Sequence, residues 1–208
     1  MLKIRTNTAS RPAHAWARFA AQKNNQAMIG SIFGKRKISE DKFVNVFVNA
    51  VLRLTEHGYP AVVAELEESI EFTSRPVFGP GDDELFAQIL FAGNLMEAPK
   101  HLPAGMDRRL AQHAYSKFAR LMDTSAAEME TETVALQHFM SRINHPSKNT
   151  VYAMSKAVFH KYDLFRHQDA YFREMKAPNP IVLGRVNKLM QYCLWDWADL
   201  LEDLRVTA

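Results

Sequence analysis

The chain has one cysteine, no apolar run of eighteen residues, and no acidic residue before Glu40. Each shortage excludes something. A single cysteine forms no intramolecular disulfide, so a reducing compartment is the default expectation. Cys193 also stands between Tyr192 and Leu194 in an apolar stretch. That reads as a buried, inert thiol rather than a nucleophile. Without a long apolar run there is no transmembrane candidate. The N-terminus lacks the apolar segment of a secretory signal. A cytoplasmic protein with no membrane partner is therefore expected.

Catalytic signatures are missing as well. The sequence contains no G-x-S-x-G, no H-E-x-x-H and no pair of cysteines. The run from Gly30 to Lys35 resembles a phosphate loop only superficially. Its glycines stand one residue too close, no Ser or Thr follows the lysine, and no strand precedes it.

What is present is the composition of a globular protein: 208 residues, 47% hydrophobic and 24% charged. A chain of that length buries about 70% of its unfolded surface and needs no covalent staple. The charge is unevenly placed. Residues 1–42 carry nine Lys and Arg against Glu40 and Asp41, a net +7, which leaves −4 on the rest of a +3 chain. We divide the chain into a basic segment, 1–38, and an all-helical domain, 39–208. The segment is expected to dock on its own slightly acidic body through Trp16 and Phe19. The alternative is that Lys35, Arg36 and Lys37 meet an anion or a nucleic acid.

Helical spacing dominates the body, and an all-α single-domain bundle of about seven or eight helices is predicted. A short helix is predicted over 10–23. Ser39 is an N-cap ahead of Phe43, Phe47, Val51 and Leu54, which recur three and four apart. That helix is predicted to end at His57-Gly58, with Pro60 opening another. The stretch 43–51 is rich in β-branched residues, so a strand competes there, but the caps at both ends favour a helix. Asp82 or Asp83 caps a helix through Leu95, and a further helix covers Met106 to Leu121. Ser125 and Glu128 form a capping box for a helix reaching Ile143. Two long C-terminal helices complete the prediction. One spans 148–176, roughly 40 Å, and one spans 180–205 with Asn179-Pro180 as its start and Leu189 and Trp197 central to its apolar stripe.

The candidate site residues follow from this frame. On one straight helix, His160, Asp163, His167, Tyr171 and Glu174 share a face. Asp163 and His167 then stand at i, i+4, the spacing of two ligands of one metal, with His113, His138, Asp196 or Asp199 as further donors. The ordinary alternative is a solvated polar face. Trp195 points away from the Trp197 stripe on a helix, so it belongs either to a second layer or to a partner interface. The leading expectation is a non-catalytic binding module with a protein partner or self-association. A divalent metal at Asp163 and His167 is the second reading, and a nucleic acid at Lys35–Lys37 the third.

Overall fold

The computed structural model describes residues 35–207, and these fold as a helical bundle closed by one short ribbon. The helix read over 10–23, with Trp16 and Phe19, lies outside the described residues. In chain order the elements are β1 (Arg36–Ser39), α1 (Glu40–Glu67), α2 (Asp82–Glu97), α3 (Met106–Leu121), α4 (Ala126–Asn144), α5 (Thr150–Lys161), α6 (Ala170–Glu174), α7 (Pro180–Met190), α8 (Trp197–Asp203) and β2 (Leu204–Thr207). The all-α class is as predicted. No helix among the described residues is long and apolar enough to cross a membrane.

Helix α2 is the centre. From Phe86 to Leu95 every residue but Gln88 is buried, and α1, α4 and α5 pack around it. A helix apolar on all sides is a core helix. Gly93 lets α5 approach closely: a Cβ there would collide with the Met154 side chain. Aromatic rings fill the next layer. Phe91 stacks on Phe118 at 4.2 Å and on Phe47 at 5.9 Å.

Local signals set the predicted starts. Ser39 Oγ accepts the Lys42 N–H, the Ser125–Glu128 box is formed in both directions, Asn149 caps α5, and Asn179 caps α7 with Pro180 in its first turn. The start of α2 differs. Gly81, at φ 88°, takes the cap position, and the Asp82 carboxylate accepts the Gly79 N–H at 2.7 Å instead.

Three predicted boundaries are corrected. Helix α1 does not end at His57-Gly58 but runs through Pro60. A proline deprives the carbonyl four residues earlier of its donor. That residue, Glu56, is exposed, as is Pro60, which puts the break in the ladder on the outer side of the helix, while Gly58 is buried on the inner side.

The 148–176 helix is broken. It stops at Lys161, Asp163 adopts φ 50°, a 3-10 turn covers Leu164–His167, and Gln168 is extended. On a straight helix Phe165 would sit about 240° around the axis from Phe159. The break folds it back, so that the two rings lie 5.9 Å apart and Leu164 is fully buried. Gln168, also fully buried, fixes the new path: its amide donates to the Ala177 carbonyl and accepts the Asn179 N–H.

The 180–205 helix is broken too, by a 3-10 turn at Gln191–Cys193 and extended backbone at Leu194. On a helix, Trp195 and Trp197 would diverge by about 200°. Here both rings pack on Phe47, at 5.0 and 5.3 Å. Leu189, expected in the middle of the core stripe, is only half-buried, and Met190 and Cys193 are buried in its place.

Residues 204–207 leave the last helix as β2 and pair in parallel with β1, setting Lys37 beside Arg205 and Ile38 beside Val206. Leu204, Val206 and Ile38 rest on the core.

Candidate anion-binding surface

The predicted metal pair does not share a helical face. Asp163 occupies the left-handed turn, is exposed, and lies 3.5 Å from Arg166 Nη1. His167 is buried, and both of its ring nitrogens are engaged. Nδ1 is 2.9 Å from Ser74 Oγ, and Nε2 is 3.1 Å from Arg166 Nε. A guanidinium only donates, so Nε2 must be the bare nitrogen and Nδ1 the protonated one. The imidazole therefore gives a hydrogen bond to Ser74 and takes no proton from it. Burial, and then the Arg166 charge, hold the His167 pKa below its ordinary value. The pair is a Ser–His contact of the wrong polarity to activate a nucleophile. Among the described residues no group of three His, Cys, Asp or Glu is placed to hold a metal ion.

Trp195 is half-buried. Its ring lies 5.5 Å from Phe43 and 4.8 Å from Trp197. It forms a second layer over the core rather than an exposed anchor.

Lys35, Arg36 and Lys37 are exposed on the ribbon. Lys35 Nζ donates to the Leu201 carbonyl at 2.6 Å. Strand β2 follows α8 directly, and that helix carries Asp199, Glu202 and Asp203 with Asp196 as its N-cap.

A second cationic surface lies elsewhere on the bundle. Residues 133–162 contain Arg142, Lys148, Lys156, Lys161 and three histidines but no Asp or Glu. The fold turns this stretch into the α4–α5 hairpin. Its turn is tied by Asn144, whose amide donates to the carbonyls of Ser147 and Asn149 at 3.2 and 2.9 Å. The helices run antiparallel, so Phe139 meets His160 and Ile143 meets Lys156. Met140, Ala153, Met154, Ala157 and Val158 face inward and are buried.

The outer face holds its cations over aromatic rings. The Arg142 guanidinium lies 5.6 Å and the Lys161 ammonium 5.3 Å from the centre of the Phe139 ring. The Lys156 ammonium lies 4.7 Å from that of Tyr152 and donates to the Ile143 carbonyl. Such contacts orient a cation without neutralising it. Elsewhere Arg109 pairs with Glu40, Lys117 with Asp41, and Arg185 with Glu65 and Glu71. Among the described residues no carboxylate pairs with Arg142, Lys148, Lys156 or Lys161. His160 records the local field: its pKa is lowered by partial burial and then by the Lys156 and Arg142 charges.

Comparison with known proteins finds no family model, no curated protein and no solved structure that matches the chain.

Proposed function

We propose that this protein is a non-catalytic binding module that holds an anionic macromolecular partner on the outer face of the α4–α5 hairpin. One observation carries the reading: Arg142, Lys156 and Lys161 are fixed over Phe139 and Tyr152 with no carboxylate partner, in a stretch free of acids. Oriented, unneutralised cations concentrate the potential that attracts a polyanion.

Immobilised heparin is a suitable first probe, because it presents dense negative charge without a specific fold. The wild-type chain is expected to be retained on it. The triple variant Arg142→Gln, Lys156→Gln, Lys161→Gln should elute at clearly lower salt with an unchanged circular dichroism spectrum. Unaltered elution would remove the hairpin from consideration.

A second reading keeps the ribbon as a contact. Lys37 and Arg205 are register partners and both exposed, so they project together from one face of the ribbon. Lys37→Gln with Arg205→Gln tests it in the same column experiment.

A further inference from the structure

We infer that the occupant of the hairpin face is the phosphate backbone of a nucleic acid, bound without regard to base sequence; this rests on reading that face as a binding surface. Three features separate a nucleic acid from the other polyanions.

The first is the lack of an apolar anchor. Protein interfaces centre on exposed aromatic or aliphatic side chains that insert into a pocket. Peripheral membrane helices likewise present an apolar face to the acyl boundary. The large exposed apolar side chains of the described residues lie on α1, in the 68–81 loop, on α6 and around α7, and none lies on α4 or α5. An acidic protein or a lipid surface would find charge on this face but nothing to seat.

The second feature is the use made of the rings. Proteins that read single-stranded bases leave aromatic faces open for stacking. Here Phe139 and Tyr152 are half-buried and already carry cations. The rings position charge, and contacts between charge and phosphate fix register but carry no base information.

Spacing is the third. Lys156 and Lys161 lie five residues apart on α5, about 7.5 Å along the helix axis at about 1.5 Å per residue. Helical rotation also separates them by about 140°, and both reach across to α4, at Ile143 and at Phe139, so each is free to meet a separate phosphate. Arg142 joins Lys161 over the same Phe139 ring, from the neighbouring helix.

The test is fluorescence anisotropy with the full chain and two labelled 30-base-pair DNA duplexes of unrelated sequence, titrated between 50 and 200 mM salt. Three phosphate contacts contribute a slope of about −2.7 in log K against log salt, roughly 40-fold across that range. We expect the two duplexes to bind within about twofold of each other. The triple glutamine variant should flatten the slope by about two to three units. Polyglutamate and vesicles containing phosphatidylserine are run alongside. Binding to either with none to the duplexes would overturn the nucleic-acid assignment while leaving the anion-binding reading intact. Tenfold discrimination between the duplexes, or an unchanged slope in the variant, would also overturn it. Failure to bind any of these probes or heparin would defeat the underlying reading itself.

Discussion

The side chain of Asn94 accepts the backbone N–H of Trp195 at 2.6 Å, joining the central helix to a break in the chain 101 residues later. Its amide donates to the Cys193 carbonyl at 3.0 Å and to its own helix at Leu90, while the Asn94 carbonyl accepts the Trp197 indole N–H. Asn94 is fully buried, so its side-chain oxygen and amide meet their partners within the core. One side chain thus compensates for the backbone bonds lost where the last helix is interrupted. Asn94→Ala removes the acceptor of the Trp195 N–H and the donor to the Cys193 carbonyl, and is expected to destabilise by roughly 2–5 kcal/mol. Denaturant unfolding measures this, and the fluorescence of Trp195 and Trp197 should change in the native baseline.

Burial ranks the two apolar positions of the C-terminal region differently from their places in the sequence stripe. Trp197 is 2% exposed and packs against Phe43 and Phe47. Trp197→Ala should cost about 3–5 kcal/mol. Leu189 is half-buried, so Leu189→Ala should cost only about 1 kcal/mol by the area it removes from contact. Equal losses would mean that the helix is rotated from the orientation described.

Two histidines give stability a pH dependence of definite sign. His160 and His167 both have pKa values lowered in the fold, each by burial first and by neighbouring Lys or Arg charge second. The folded state prefers the neutral ring, so the stability is fully present above the unfolded value of about 6.5 and is lost as pH falls through the folded pKa. The melting temperature should therefore drop between pH 7.5 and pH 5, a window above the carboxylate range. His160→Gln and His167→Gln should each flatten that decline, and an unchanged decline in both would assign it to other groups.

The readable part of the fold was the part with local causes. Ser39, the Ser125–Glu128 box and Asn179-Pro180 start helices through bonds made within three residues, and each stands where the sequence places it. The breaks at Asp163 and Leu194 depend on partners far along the chain. Phe165 folds back on Phe159, and Leu194 is extended because Asn94 holds the residues on either side of it. Nothing in residues 148–176 or 180–205 alone announces those partners, and helical periodicity carries on past them. Pro60 misled in the opposite direction: its effect on α1 depends on whether Glu56 faces water. The candidate surface had a sequence signal, the absence of acids over 133–162. Only the antiparallel hairpin shows that Arg142, Lys156 and Lys161 share a face with Phe139 and Tyr152.

The most direct test of the account compares two triple variants of equal net charge on immobilised heparin. One is Arg142→Gln, Lys156→Gln, Lys161→Gln. The other removes three exposed cations placed elsewhere, Lys42→Gln, Arg53→Gln, Lys188→Gln. If binding resides in the oriented cations of the hairpin, the first variant elutes at markedly lower salt and the second stays close to wild type. Equal elution of the two would show that retention follows overall charge, and would contradict the assignment of a site to the α4–α5 face.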